Sequence, residues 1–224
     1  MTQPLNLAEI LAVLDDPRSV PDLQRYFLAS GDAAFTGGHF ERLGGGGCRP
    51  EVANTITAEG LIAVELLSVR VTPRTALDLL QGRRGRYIAA ELGKIPTGID
   101  LGTDAARPLI VEDGPADRAW HLLRQATGID CVIAGKLLAR KRPKLIPVYD
   151  RVVSCALGTG TGFWKWLHGK LRQDGDVLAQ RLDALHAKGV LPEAVSRLRV
   201  LDVVFWIRHR DGHGGNACPG LRMP

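Results

Sequence analysis

The stretch from Lys136 to Arg151 combines a run of basic side chains with one carboxylate. It contains six Lys or Arg residues and a single acid, Asp150. Its excess of five positive charges equals the formal net charge of the whole 224-residue chain, so the rest of the sequence is neutral. A local basic block on a neutral protein favours contact with a polyanion such as nucleic acid. A solvated helix end followed by a loop would have the same charge pattern.

The residues before this block predict a tight turn between two helices. Gly128-Ile129-Asp130 separates a helix that Pro115 opens from a second helix that runs to about Arg140. Such a turn directs backbone N–H groups toward a phosphate, although an ordinary helix pair can also be joined by a glycine turn. Lys136 and Arg140, four residues apart, are expected to share an outward face of the second helix. The predicted contacts to a nucleic-acid backbone are Gly128, Ile129, Lys136, Arg140, Lys141, Arg142 and Lys144.

Asp150 follows the proline connection of residues 143–147 and stands where the next helix begins. An aspartate in this position often serves only as a helix N-cap. The order of hairpin, basic helix, proline connection and Asp nevertheless resembles the helix-hairpin-helix DNA glycosylase superfamily, which includes the relatives of endonuclease III and the 8-oxoguanine glycosylases. The resemblance covers the 27 residues from Thr127 to Val153, and over the rest of the C-terminal half it is only architectural. It implies that the hairpin binds the DNA backbone and that Asp150 is the catalytic carboxylate.

Two other segments resemble an uncharacterised bacterial protein family. They are the glycine-rich segment of residues 37–47 and the apolar segment of residues 57–69. Members of that family share the pattern KRPxLIPVYD, which this chain has at residues 141–150. This second resemblance covers most of the chain but implies no particular activity.

The glycosylase resemblance implies hydrolysis of an N-glycosidic bond. Breaking this bond builds oxocarbenium character on the sugar, which a nearby carboxylate stabilises. The target base must first leave the helical stack and enter a pocket. Aromatic side chains that could form the pocket, or could simply pack in the core, are Tyr149, Phe163, Trp164, Trp166 and Trp206, with His39 and Phe40 from the glycine-rich loop.

Three departures from the superfamily pattern affect this hypothesis. Asp130 replaces the second glycine of the hairpin, and Tyr149 is an extra residue before the catalytic position. Superfamily members that also cut the DNA strand use a lysine early in the second helix as a Schiff-base nucleophile, and Val132 stands at that position here. Because valine cannot form this adduct, we expect a monofunctional glycosylase, with Lys136, one turn further on, as a less favoured substitute.

The sequence predicts no metal and no cofactor. The glycine runs at residues 44–47 and 158–162 lack the Lys and Ser/Thr of a phosphate-binding loop. His209, His213 and Cys218 are conceivable zinc ligands, but the glycine-rich sequence around them favours disorder. Cys131 and Cys155 lie in apolar helical patterns and are interpreted as buried small hydrophobic residues.

The predicted fold is all-α, a two-lobed helical bundle that includes the helix-hairpin-helix motif. Residues 1–100 are assigned to an N-terminal helical lobe with a glycine-rich loop, 101–210 to a catalytic-like lobe, and 211–224 to a flexible tail. Residues 94–114 are interpreted as a linker, with a short strand possible at 108–111. The longest apolar run, residues 61–67, is too short for a membrane helix.

The resulting hypothesis is a cytoplasmic, monomeric enzyme that removes a damaged or modified base from double-stranded DNA. The alternative on the same scaffold is a DNA-binding protein without catalytic activity. A third possibility is a helical domain whose basic block contacts an acidic protein. Amino-acid composition does not distinguish the enzyme from the non-catalytic DNA-binding protein.

Overall fold

The computed structural model describes residues 3–31, 35–215 and 218–221, and within them the chain forms twelve α-helices and no strand. The all-α prediction is confirmed. The helices are α1 (Leu7–Leu14), α2 (Ser19–Leu28), α3 (Ala58–Glu65), α4 (Pro73–Leu80), α5 (Arg83–Leu92), α6 (Arg107–Ile110), α7 (Pro115–Arg124), α8 (Cys131–Lys141), α9 (Arg151–Leu157), α10 (Phe163–Leu171), α11 (Val177–Gly189) and α12 (Arg197–His209).

Side-chain caps fix the start of several helices. The Thr57 side chain accepts a hydrogen bond from the Gly60 N–H at 3.1 Å, which confirms its predicted role as the N-cap of α3. Pro73 opens α4 and Pro115 opens α7, as predicted. Helix α12 begins five residues later than predicted from Pro192, because the Ser196 side chain caps it.

The segment between residues 94 and 114 is not a strand-bearing linker. The strand considered possible at residues 108–111 does not form, since most of these residues belong to the short helix α6. Leu101 is fully buried, and its N–H donates to the Lys144 carbonyl at 2.9 Å. Helix α5 was not predicted, and three of its first four residues are arginines.

One continuous hydrophobic core runs from α1 to α12. Helices α1 and α2 pack against α11 and α12, and α3 packs against α8, so elements distant in sequence share the core. The helix-hairpin-helix motif and the two-lobed arrangement stay predictions. No helix among the described residues has the length and apolar character needed to cross a bilayer.

The basic residues of α8 point inward, so the predicted outward face is wrong. Lys136, Arg140, Lys141 and Arg142 are only 1–3% exposed, whereas Lys144 is exposed. Their donors bind carbonyl oxygens of irregular segments far away in sequence. Irregular backbone leaves carbonyl groups without helical partners, and a long cationic side chain can satisfy several of them at once.

Arg142 has the most of these contacts. Its guanidinium donates to the carbonyls of Ile95 at 2.7 Å and Ala53 at 2.8 Å, to the Leu92 carbonyl, and to Asn54 Oδ1 at 2.6 Å. Burial lowers the pKa of Arg142 to about 10, so the side chain stays charged at neutral pH.

Two neighbouring side chains extend the same pattern. Arg140 donates to the carbonyls of Phe40 and Leu43, and Lys141 donates to the Val52 carbonyl at 3.0 Å. Burial, with Arg140 as the next cause, lowers the pKa of Lys141 to about 8. These side-chain donors therefore hold the N-terminal loop, residues 40–53, against α8.

Gly47 shows why this loop is rich in glycine. A Cβ at this position would lie 2.4 Å from the Arg140 carbonyl oxygen, which no side chain can tolerate. The glycine run therefore lets the loop backbone approach α8 closely enough to receive its hydrogen bonds.

We expect Arg142→Ala to lower the free energy of unfolding by about 3–5 kcal/mol, because it removes the shared donor of several buried carbonyls. The stability of Arg142→Lys should lie between that of wild type and that of Arg142→Ala, since an ammonium keeps the charge but lacks the guanidinium fork. Urea unfolding followed by circular dichroism measures the loss. The exposed neighbour serves as the control, and Lys144→Ala should change the stability by less than about 0.5 kcal/mol. Equal midpoints for Arg142→Ala and Lys144→Ala would contradict the inward role.

Candidate functional site

A cavity of about 160 Å³ lies where α2, α8, α9 and α12 meet the loop that follows Phe35. Its lining combines aromatic rings with charged side chains. The residues that give the cavity its character are Tyr26, Phe35, Lys136, Asp150, Asp202 and Trp206.

Asp150 is both a helix cap and a wall of this cavity. Its Oδ1 accepts from the Val152 N–H at 2.9 Å, which makes it the N-cap of α9. Its Oδ2 accepts from Lys136 Nζ at 3.1 Å, and the same ammonium donates to the Leu67 carbonyl at 2.8 Å. The carboxylate is therefore held in one orientation by a backbone donor and a buried cation, at the edge of a cavity.

The aromatic wall is formed by three rings. Tyr26 and Phe35 are stacked with centroids 5.1 Å apart, and Trp206 meets them edge-on at 6.0 Å and 5.8 Å. Gly37 lets the loop approach Tyr26, since a Cβ there would lie 2.1 Å from the phenol oxygen. These rings give the cavity a flat apolar side.

A cluster of buried charged side chains lies at the cavity, and two of its members, Arg199 and Asp202, belong to the lining. Arg199 Nε donates to Glu41 at 2.6 Å, and its other nitrogens donate to Asp202 and, at 3.0 Å, to the Tyr26 hydroxyl. Two carboxylates thus share one guanidinium. Within the described part of the chain, one oxygen of each, Glu41 Oε2 and Asp202 Oδ1, has no hydrogen-bond partner.

Burial raises the pKa of Asp202 to about 6, against the opposing effect of Arg199, and the charge of Asp150 adds to the rise. The cavity therefore combines two carboxyl groups in different environments. Asp150 is partly exposed and paired with a lysine, whereas Asp202 is buried, is paired with Arg199 and has a raised pKa. Two carboxyl groups separated in this way are suited to complementary roles in acid–base chemistry.

Of the predicted pocket residues, the structure brings Trp206 to the cavity. Tyr149 and Trp166 instead contact Phe163 in a separate aromatic group, with centroid distances of 6.0 Å and 6.1 Å, and Trp164 packs against the core. The other two predicted residues come from the glycine-rich loop. His39 is exposed, and Phe40 is buried beneath the guanidinium groups of α8 and α12.

Sequence reasoning missed Tyr26, Phe35, Arg199 and Asp202. A signal for Arg199 and Asp202 was present, because these two residues, three positions apart, interrupt the otherwise apolar and buried stretch of residues 198–205 in α12. Charged residues on the inner face of a buried helix are seldom tolerated without partners or a role. The two aromatic residues carried no comparable signal.

The predicted hairpin turn lies between α7 and α8. Gly128 has a φ of +80°, as a tight turn requires, and Asp130 caps α8 by accepting from the Ile133 N–H at 2.9 Å. Ile129 is buried in the core. Thr75 Oγ1 donates to the Thr127 carbonyl at 2.6 Å, which fixes the turn to helix α4.

Exposed arginines lie near this turn. Arg70 and Arg74 flank Thr72 in the chain, and the Thr72 methyl group is the atom nearest to a Cβ built on Gly128, at 3.4 Å. Arg151, at the first position of α9, is also exposed and pairs with Asp130 at 3.2 Å. The exposed positive charge of this region therefore belongs to residues other than the buried run of α8.

A comparison with protein families gives one match. The model of DUF6308, described as a family of unknown function, matches residues 19–209 of the chain. No curated protein and no solved structure matches the chain. All the residues that define the cavity lie within the matched region.

The raised pKa of Asp202 predicts a pH dependence of stability. Between the ordinary value of 3.8 and the folded value of about 6, the folded state holds a proton that the unfolded state has lost. The free energy of unfolding should therefore fall as pH rises through this window, by at most about 1.4 kcal/mol per pH unit. Urea unfolding at several pH values compares wild type with Asp202→Asn, which should lack this part of the slope. The exposed substitution Asp183→Asn should keep it, and parallel curves for wild type and Asp202→Asn would contradict the assignment.

Proposed function

The chain belongs to DUF6308, a family of unknown function, and from its cavity we propose that it is a DNA glycosylase that removes a damaged or modified base by hydrolysis. The observation that carries this proposal is the position of Asp150. Its carboxylate, fixed by a backbone donor and Lys136, borders a cavity whose lining also includes the rings of Tyr26, Phe35 and Trp206.

The size and lining of the cavity suit one flat ring. A cavity of roughly 150 Å³ is known to hold a benzene molecule, and this one measures about 160 Å³. The rings of Tyr26, Phe35 and Trp206 in the lining can pack against a base, while the carboxyl groups can accept hydrogen bonds from its edge. A base turned out of the duplex would contact both kinds of group.

The proposed reaction assigns different roles to the two carboxyl groups. As the glycosidic bond breaks, its electron pair leaves with the base, and the sugar gains positive charge that Asp150 stabilises. Water forms the new bond to the sugar carbon, and the proton that it loses passes to the Asp150 carboxylate and from there to bulk water. Asp202, whose pKa is about 6, can supply a proton to the departing base.

The surroundings of Lys136 favour a monofunctional enzyme. Its Nζ donates to both Asp150 and the Leu67 carbonyl and the side chain is buried, so it is engaged within the fold and not free to attack a sugar as a Schiff-base nucleophile must. Val132 stands where the related enzymes place their nucleophilic lysine. Lys136 is thus a positioning residue for Asp150.

Because the basic side chains of α8 are buried, other residues must contact the DNA backbone in this proposal. The exposed arginines Arg70 and Arg74 near the Gly128 turn are the best candidates, together with Lys144 and Arg151, the exposed members of the original block. Arginines beside a glycine turn can contact successive phosphates. These residues equally suit a DNA-binding protein without catalytic activity. The effect of replacing Asp150 on base removal therefore distinguishes the two hypotheses.

Asp150→Asn should lower the rate of abasic-site formation at least about 100-fold, because a neutral amide cannot stabilise the developing cation. The assay incubates the protein with duplexes that carry a panel of modified bases and resolves alkali-cleaved products on a denaturing gel. The amide oxygen can still accept from Val152, so circular dichroism should show a folded variant. Asp183→Asn, an exposed carboxylate paired with Arg197 at 2.8 Å, is the matched control and should keep full activity. Salt-sensitive DNA binding without any abasic product would favour the non-catalytic alternative.

The double substitution Arg70→Ala with Arg74→Ala should weaken DNA binding and reduce the slope of log affinity against log salt by roughly two, because each phosphate contact contributes about one unit. Fluorescence anisotropy with a labelled duplex measures the slope. Lys188→Ala, an exposed charge change at the end of α11, is the control and should leave the slope unchanged. An unaltered slope in the arginine variant would place the DNA elsewhere.

A further inference from the structure

Four potential metal ligands from distant parts of the sequence meet beside α9 and α12. They are Cys155, His209, His213 and Cys218, and their ligand atoms all lie within 4.8 Å of one another. Cys155 belongs to α9, and His209 is the last residue of α12. The other two follow in the C-terminal segment, beyond residue 209, where the family match ends.

The distances match a tetrahedral zinc site. Ligands bound to zinc at about 2.3 Å for sulfur and about 2.0–2.1 Å for nitrogen lie roughly 3.3–3.8 Å from one another. His209 Nε2 is 3.4 Å from Cys155 Sγ and 3.3 Å from Cys218 Sγ. The rings of His209 and His213 have centroids 5.3 Å apart. The four side chains could thus close around one ion with small rotations.

The surroundings of His213 support the same conclusion. Its Nδ1 is buried and has no hydrogen-bond partner among the described residues. A buried imidazole nitrogen without a partner costs free energy, and a metal ion would satisfy it. The charges also balance, since two thiolates neutralise one divalent cation while two imidazoles stay neutral.

We propose that Cys155, His209, His213 and Cys218 bind one zinc ion in a structural site. Four protein ligands complete the tetrahedron and leave no open position, which distinguishes structural from catalytic zinc. The ion ties the C-terminal segment to α9. Because Cys155 is five residues from Asp150, about 7.5 Å of helix rise, zinc stabilises the helix that begins at the cavity without taking part in its chemistry.

The test is the zinc content of the full-length protein, produced without a polyhistidine tag and exchanged into chelator-free buffer. Plasma mass spectrometry should find about one zinc per chain, as a closed four-ligand site predicts. Cys218→Ser and His213→Asn should lose it. Both changed residues follow the last helix of the core, so circular dichroism should show the helices intact. Cys131→Ser and His121→Asn change the same residue types outside the cluster and should keep the zinc.

A second measurement identifies the ligands in the same protein. Cobalt added to metal-free protein should produce the strong visible absorption of a tetrahedral thiolate site in wild type and Cys131→Ser, and not in Cys218→Ser. A wild-type protein that binds neither added zinc nor cobalt would overturn the proposal. So would equal zinc in Cys218→Ser, or a Cys155–Cys218 disulfide in the freshly purified, metal-free chain. None of these readouts depends on glycosylase activity.

Discussion

The fold depends on hydrogen bonds from the cationic side chains of α8 to the carbonyls of irregular backbone. The carbonyls of Phe40, Ala53 and Ile95 lie outside the α-helices, and Arg140 and Arg142 supply donors to them. Lys141 and Arg142 also donate to the carbonyls of Val52 and Leu92, which accept backbone turn hydrogen bonds as well. Burying a cation costs several kcal/mol, which is recovered only when many hydrogen bonds are made at once. The multiple contacts of Arg142 meet that condition. The basic run is therefore a set of internal supports rather than a surface for phosphate.

A buried cation of α8, Lys136, also lines the cavity. Lys136, one turn before Arg140, links the Leu67 carbonyl of the N-terminal half to Asp150 at the start of α9. Because α8 holds the N-terminal loop close, Phe35 can stack on Tyr26 opposite the carboxylate. The site thus combines residues from both ends of the chain, and its shape is set by the packing of α8 rather than by any one motif.

The sequence allowed the helices and their caps to be predicted because these depend on local chemistry. Thr57 beside an apolar run and Asp150 after prolines act on backbone groups within three residues. The direction of the basic side chains was not predictable in this way, since the acceptors of Arg142 lie about 50 to 90 residues away. A periodic pattern shows that a helix has two faces, but it does not show which face another segment will cover. In the metal-ligand cluster, His209, His213 and Cys218 were recognised as conceivable ligands from the sequence, but Cys155 was not, because it lies more than 50 residues earlier in an apolar helical pattern.

The central claim, that the basic run of α8 faces inward, can be tested on the native protein by lysine acetylation followed by mass spectrometry. Lys144 is exposed and provides an internal reference for Lys136 and Lys141, which are at most 2% exposed. We predict rapid modification of Lys144 and modification of the other two only when urea unfolds the chain. Acetylation of Lys136 and Lys141 at the rate of Lys144 in the folded protein would contradict the account.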